Sequence, residues 1–291
     1  MHREQARSHA TERVGVLRSI YRYPVKSMIG ESLDSAALTT NGIPGDRGWA
    51  VRDETRGGIR GAKHFAGLMQ CAARLSADGT APEIALPTGE RFFASDPDAA
   101  ERMSAFLGNP VTLWPLLPKE MVDHYRRGAP LEADMMTELR RIFARTADEP
   151  LPDLSRLPEI LRKYESPPGT YFDAFPVLLL TRQSLATLAQ RAPTSRFDVR
   201  RFRPTLLVDV ESRDPFPERA WVGKRVRIGA TALDVAMDCP RCVMTTLPFA
   251  DLPNDSQIMR TLVRECDGML GVYAMPVESG TLRVGDAVAL A

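Results

Sequence analysis

A mainly β fold with a few helices, of the α+β class, is predicted by three features of this 291-residue sequence. From Val14 onward, short apolar stretches are separated by Gly, Pro and Asp clusters that suit turns. The C-terminal third carries two runs in which apolar and polar residues alternate on either side of a glycine, the pattern of β-hairpins. Helical periodicity is brief wherever it occurs. Many short strands with few helices make a barrel or a sandwich the expected architecture.

The elements follow in order. Residues 1–13 are polar and read as a loose tail, with no apolar stretch of a secretory signal, which points to the cytoplasm. Strands are expected at Val14–Val25, Gly48–Val51, Ile84–Leu86 and Val111–Leu116. Between the last two a helix is signalled by Asp96 as N-cap, Pro97 at the first helical position, Met103, Phe106 and Leu107 on one side, and Gly108 at the end. In the charged, proline-containing stretch that follows, Met135, Met136, Leu139, Ile142 and Phe143 share a helical face that reads as core. A strand at Phe175–Leu180 and a helix from Thr181 bearing Leu185 and Leu188 come next. Val226 and Ile228 then turn through Gly229-Ala230 into Leu233, Val235 and Met237, and a final hairpin is expected from Leu282 and Val284 through Gly285-Asp286 to Val288 and Leu290. The expected division is a tail (1–13), an N-terminal β domain (14–118), a partly helical connecting segment (119–168) and a second β domain (169–291).

Composition excludes several classes. Hydrophobic residues make up 44% and charged residues 26%, the proportions of an ordinary globular chain. A net charge of +1 provides no chain-wide field for nucleic acid or an anionic membrane, so any anion site must be local. The longest apolar run, around Val177–Leu180, is far short of a membrane span. Four cysteines, at 71, 239, 242 and 266, do not make a disulfide framework, and reduced thiols are expected.

The chemistry concentrates in three places. Asp238-Cys239-Pro240-Arg241-Cys242 ends a strand and allows structural zinc, a redox pair, or one cysteine as a thiolate ligand or nucleophile; small buried side chains are the plain alternative. Zinc lacks partner ligands, and Val243-Met244-Thr245-Thr246 reads as extended where a redox motif needs a helix. Beside Cys242, Arg241 would favour the ionised thiol. Lys26, one of only five lysines among 38 cations, stands next to Ser27, and this pair could grip a phosphate. The guanidinium forks of Arg47 and Arg203 could bind the same group or stack on a planar ring. His64 and His124 lack the setting of a catalytic triad, and no Gly-rich nucleotide-binding loop is present.

Taken together, Tyr-Pro-Val-Lys-Ser at 23–27, Gly-Asp-Arg at 45–47, Arg-Phe-Arg-Pro at 201–204, Cys-Pro-Arg-Cys-Val-Met-Thr-Thr at 239–246 and Gly-Thr-Leu-Arg-Val-Gly-Asp at 280–286 resemble the MOSC superfamily, in the two-domain form of the amidoxime-reducing components and their bacterial relatives. The resemblance implies an N-terminal β-barrel domain followed by a MOSC β-barrel. It also implies a molybdenum–molybdopterin cofactor with Cys242 as the metal ligand and catalytic residue and Cys239 not a ligand. Lys26, Ser27, Arg47, Arg203, Thr205 and Arg241 are the implied cofactor-binding residues, at a site between the two domains. The implied activity is reduction of N-hydroxylated substrates, with electrons from a separate ferredoxin- or cytochrome-type protein. Thr205 replaces the Asn of the mitochondrial proteins, Ala174-Phe175 replaces their Thr-Ser pair, and 118–169 has no clear counterpart. A carrier of the cofactor or of sulfur, without turnover, is the rival reading. A pyridoxal-phosphate protein using Lys26 is a weaker one.

Overall fold

The computed structural model describes residues 12–76 and 79–291. The expected tail lies outside the described residues up to position 11; its last two residues open the first strand. The N-terminal region contains β1 (Glu12–Arg22), β2 (Glu31–Leu33), β3 (Ser35–Leu38), β4 (Trp49–Asp53), β5 (Ile59–Arg60), β6 (Ala72–Leu75), β7 (Pro82–Ala85), β8 (Arg91–Phe93), α1 (Ala99–Leu107) and β9 (Val111–Pro115). The connecting segment forms α2 (Val122–Tyr125) and α3 (Met135–Phe143). Then come β10 (Val177–Thr181), α4 (Arg182–Arg191), β11 (Leu206–Val210), β12 (Arg225–Ile228), β13 (Thr231–Pro240), α5 (Gln257–Cys266), β14 (Met269–Glu278), β15 (Gly280–Arg283) and β16 (Ala287–Leu290).

Seven strands close on themselves in the order β11-β10-β14-β13-β12-β16-β1, because β1 pairs with both β16 and β11. The staves alternate inward and outward, and Leu17, Ile20, Leu179, Leu206, Val208, Val226, Leu233, Val235, Val272 and Val288 fill the interior. One stave comes from the start of the chain and six from the C-terminal region, so the expected division at 14–118 and 169–291 follows sequence order while the barrel does not. Gly15 is required here by close approach: a Cβ at this position would lie 2.3 Å from the Asp209 carbonyl oxygen of the paired strand. In the rest of the N-terminal region, β2 extends the sheet beside β1, β3 pairs with β15, and the other strands make two three-stranded sheets, β5-β4-β9 and β6-β7-β8. Met28, Val51, Leu68, Ile84, Phe92 and Met103 pack between them, and Met244, Phe249 and Leu252, from the loop after Cys242, join that core.

Four local expectations are corrected. The first helix begins at Ala99 with Asp98 as N-cap, because Asp96 is committed to the turn before it, where its carboxylate accepts the Phe93 N–H at 2.8 Å. Helix α3 forms where expected, yet Met135 is 64% and Met136 50% exposed, and the buried residue is Glu138. Val243–Thr246 is a 3-10 turn and not extended. The last two strands are not each other's partners: β15 pairs with β3, and β16 with β12 and β1. No helix among the described residues is long and apolar enough to cross a membrane.

Because β1 is a stave of the barrel, a fragment comprising 167–291 is expected to show no cooperative thermal unfolding by circular dichroism, whereas the full chain does. In the full chain, Leu17→Ala is expected to cost about 2–5 kcal/mol in urea unfolding, the range for truncating a fully buried leucine.

Candidate functional site

The strand pairings bring four loops to one rim. Tyr23–Ser27 leaves β1, Arg47 lies in the turn before β4, Arg203 and Thr205 precede β11, and Arg241 and Cys242 follow β13. All seven residues that the sequence singles out line a single cleft, together with Tyr171, Asp173, Phe175 and Tyr273. Three of the seven, Ser27 (φ 70°), Arg47 (φ 49°) and Arg203 (φ 53°), have left-handed backbone that side chains normally avoid.

Tyr23 organises the cationic wall. Its ring faces the Arg47 guanidinium at 4.5 Å and that of Arg203 at 4.2 Å, so one buried aromatic stands between two like charges. Its backbone N–H donates to Asp46 Oδ1 at 2.7 Å, and its hydroxyl donates to the Pro204 carbonyl at 3.0 Å. Asp46 also accepts from Arg47, and Arg203 donates to the Met28 carbonyl. Burial and the charge of Arg47 push the Arg203 guanidinium down to about 10. A buried cation in that condition lacks a compensating anion.

Lys26 is already saturated. Its Nζ donates to Asp173 Oδ1 at 2.7 Å, the Tyr171 carbonyl at 2.8 Å and Ser166 Oγ at 3.5 Å, which uses all three of its donors. An anion in the cleft therefore reaches this ammonium by replacing Asp173, and the amine is not poised for a pyridoxal Schiff base. Ser27 Oγ accepts the Ala62 N–H at 2.9 Å. The chain passes so close there that a Cβ on Gly61 would lie 2.7 Å from Ser27 Oγ. Thr205 Oγ1 accepts the Leu178 N–H at 3.2 Å and retains its own donor.

The arginines of the other two motifs interlock. Arg201 donates to the carbonyls of Thr245 at 3.2 Å, Leu247 at 3.1 Å and Pro253 at 2.7 Å, pinning the turn that follows Cys242; it is a structural cation. Arg241 donates in return to the Phe202 carbonyl at 2.6 Å and turns its other terminal nitrogen to Cys239 Sγ at 3.1 Å. Its Nε is buried without a partner. Cys242 is a half-buried free thiol packed against the N-terminal core. Burial and the charge of Asp173 push this thiol up, outweighing Lys63 and Arg241, so the expected ionising effect of Arg241 operates but does not prevail. Among the described residues no group of three or more His, Cys, Asp or Glu is arranged to hold a metal.

A charged network lies behind Lys26. Glu165 binds Lys63 at 2.5 Å and Arg127 at 2.5 Å, and these cations hold its carboxyl down at about 2 against the opposing effect of burial. Beside it His64, nearly buried, sets Nε2 3.1 Å from Arg60 Nη1 and 3.8 Å from Glu138, while Nδ1 has no partner. Burial, with Lys63 and Arg60 nearby, pushes His64 down to about 4. His124 instead sits 2.7 Å from the Tyr171 hydroxyl.

Residues 167–289 match the MOSC domain, and residues 14–101 match the MOSC N-terminal beta barrel domain. The chain belongs to the MOSC family. It is 25% identical to mitochondrial amidoxime reducing component 2 of Bos taurus, over 97% of this chain and 85% of that protein. The human protein of the same name is 32% identical over 40% of this chain and 38% of its own length. The crystal structure of the YUAD protein from Bacillus subtilis aligns over 96% of this chain and 97% of that one, with 11% identity and a TM-score of 0.44. The stretch between the two matched MOSC segments includes α3, which touches the turn after Cys242 and reaches the N-terminal region where Arg141 donates to the Lys63 carbonyl at 2.6 Å.

Sequence reasoning missed Tyr171, Asp173 and Tyr273. Asp173 gives no local signal, since nothing at 171–173 shows that Lys26 will be its partner. Tyr23 lay inside a quoted motif, but the two contacts of its ring come from positions 24 and 180 residues away.

Two outcomes follow for stability. His64 takes up a proton at about 4 in the fold and at about 6.5 in an unfolded chain, so stability is expected to fall as pH drops through that window and then level off. His64→Gln should shrink this slope in urea titrations at each pH, leaving the part that the likewise depressed His124 contributes and the separate acid loss that Glu165 shares with Asp173 and other paired carboxylates. Tyr23→Phe removes one buried hydrogen bond and should cost about 0.5–1.5 kcal/mol. Tyr23→Leu also removes the ring between the guanidiniums and should cost measurably more in the same assay.

Proposed function

We propose that this chain is a molybdenum-cofactor-dependent oxidoreductase that reduces N-hydroxylated compounds at the N–O bond. The observation that carries this reading is the convergence, in one cleft, of a half-buried free cysteine and three crowded arginines, of which Arg203 has no paired carboxylate and Arg241 has an unpartnered buried Nε. That donor set fits a soft metal held by a thiolate and an anionic, planar cofactor held by guanidiniums. Cys242 would be the metal ligand. Arg47, Arg203 and Arg241, with the hydroxyls of Ser27 and Thr205, would hold the phosphate and pterin, and Lys26 would join them by exchanging Asp173 for the phosphate.

When bound, the cofactor supplies the two-electron chemistry, in which an N–OH group, two electrons and two protons give N–H and water. The chain binds and screens. Phe175 and Tyr273, with ring centroids 5.3 Å apart, form an apolar wall that excludes water from one side of the cleft. Asp173, whose side chain is 63% exposed at the rim, is kept ionised by Lys26 and Lys63 in spite of burial of the surrounding site; once the phosphate takes its place on Lys26, its freed carboxylate would attract a protonated base. Burial raises Tyr273 and Tyr171, so both phenols keep their protons and act as hydrogen-bond donors. The reductant is a separate one-electron carrier of the haem or iron–sulfur class. Four free thiols support a reducing compartment, the cytoplasm.

Purified from a host that makes the cofactor, the protein is expected to contain near-stoichiometric molybdenum and pterin. Cys242→Ala should lose the metal, and the loaded wild type should reduce an amidoxime panel when given a chemical electron donor. Absence of both metal and pterin, in a host whose other molybdoenzymes are loaded, would overturn the proposal. A loaded protein that reduces nothing across the panel would move the carrier reading to the front.

A further inference from the structure

Cys239 is the one member of the Cys-Pro-Arg-Cys segment that the proposed function leaves idle. A register shift after Val235 turns the end of β13 over, so Cys239 packs with Met237, Leu178 and Tyr273 outside the barrel interior that Leu233 and Val235 fill, and it is 1% exposed. Pairing of Met237 with Tyr273 brings that ring into the same buried cluster as the thiol. The sulfur accepts from Arg241 Nη1 at 3.1 Å and sits 3.8 Å from the Pro240 carbonyl. A sulfur with its neighbours so arranged is an acceptor in use.

Arg241 is the group that gains. Its two terminal nitrogens are held at fixed points, one by Cys239 Sγ and the other by the Phe202 carbonyl at 2.6 Å, and its plane lies 5.6 Å from the centre of the Phe202 ring. Two anchored ends of a rigid planar fork leave its orientation no freedom. The third nitrogen, Nε, is buried and unpartnered in a residue that lines the cleft. Without the sulfur, the side chain would keep one anchor and could rotate about it.

We propose that Cys239 is a positioning residue: its sulfur fixes Arg241 so that Nε is held ready for the anionic group in the cleft. This rests on the proposed function for the identity of that group, but the positioning itself can be measured without it. In arginine-labelled apoprotein, the Arg241 Nε–H signal, assigned with Arg241→Lys, should be protected from solvent exchange in the wild type and in Cys239→Ser, which keeps an acceptor. In Cys239→Ala the protection should be lost. In protein from a cofactor-making host, Cys239→Ala should retain about ten- to a hundredfold less pterin after dialysis, the usual effect of losing a partner that orients a ligand. Cys239→Ser should restore most of it. Thermal melting of each apoprotein checks that the variants fold.

An Arg241 signal unchanged in Cys239→Ala overturns the proposal, whether or not the wild type holds pterin. So does a lost signal with pterin retention unchanged. Loss of molybdenum with pterin kept in both Cys239 variants also overturns it, since that pattern makes Cys239 a ligand. A wild type with protected Nε–H and no pterin refutes the proposed function and leaves the positioning role to be decided by the exchange measurement alone.

Discussion

Pairing of β1 with β11 and β16 is the constraint on which the site depends. A barrel needs every stave hydrogen-bonded on both edges, and here the C-terminal region supplies six, with the seventh taken from the start of the chain. The strand runs antiparallel to β11, so its C-terminal end lies beside the beginning of β11, with Ile20 opposite Leu206. The loop Tyr23–Ser27 thereby arrives beside Arg203 and Thr205. The cleft is thus a product of barrel closure: the register that buries Leu17 and Ile20 also sets Tyr23 under Arg203 and carries Lys26 to Asp173.

Electrostatics at that rim runs against the usual rules for a stable interior. Lys26, Arg47, Arg203 and Arg241 are all buried or nearly so around one space, and two of them share a single aromatic ring. Arg201, of equal burial, is satisfied entirely by backbone carbonyls, which shows how the chain treats a cation whose task is structural. The difference between the two kinds of arginine lies in spare donors. Left-handed backbone at Ser27, Arg47 and Arg203 adds strain at the same place. Stability is given up locally to keep positive charge crowded and directed, and the well-packed barrel beneath bears the cost.

How legible was this in the sequence? Period-2 alternation announced the β12–β13 hairpin and led correctly to Cys239, because both strands are neighbours in sequence and bury one face each. The cleft residues were legible as a set through the family resemblance of their motifs; the residues alone offered anion-gripping types, such as a scarce lysine beside a serine, but no sign that they converge. Partners distant in sequence were not. Gly285-Asp286 is a sound turn signal, but β15 and β16 leave that turn for different sheets, a choice made by the strands waiting on either side. Helix α3 has the periodicity of a core helix and exposes its methionines, because Glu138 must reach Arg141 and the His64 network. Asp173 was invisible for the same reason: a salt bridge spanning 147 positions leaves no trace in either local segment.

The seven-strand ring also sets a timetable. Ribosomes deliver β1 first and β16 last, so the strand that closes the barrel is made some 190 residues before β11 and more than 260 before β16. Through most of synthesis its two hydrogen-bonding edges and its apolar face, Leu17 and Ile20, have nothing native to meet. The nascent chain must keep that strand from premature pairing until β16 has emerged, and such long-range closure is intrinsically slow. A protein built this way needs its first stave guarded until the last one, β16, has emerged and allows the first to be used.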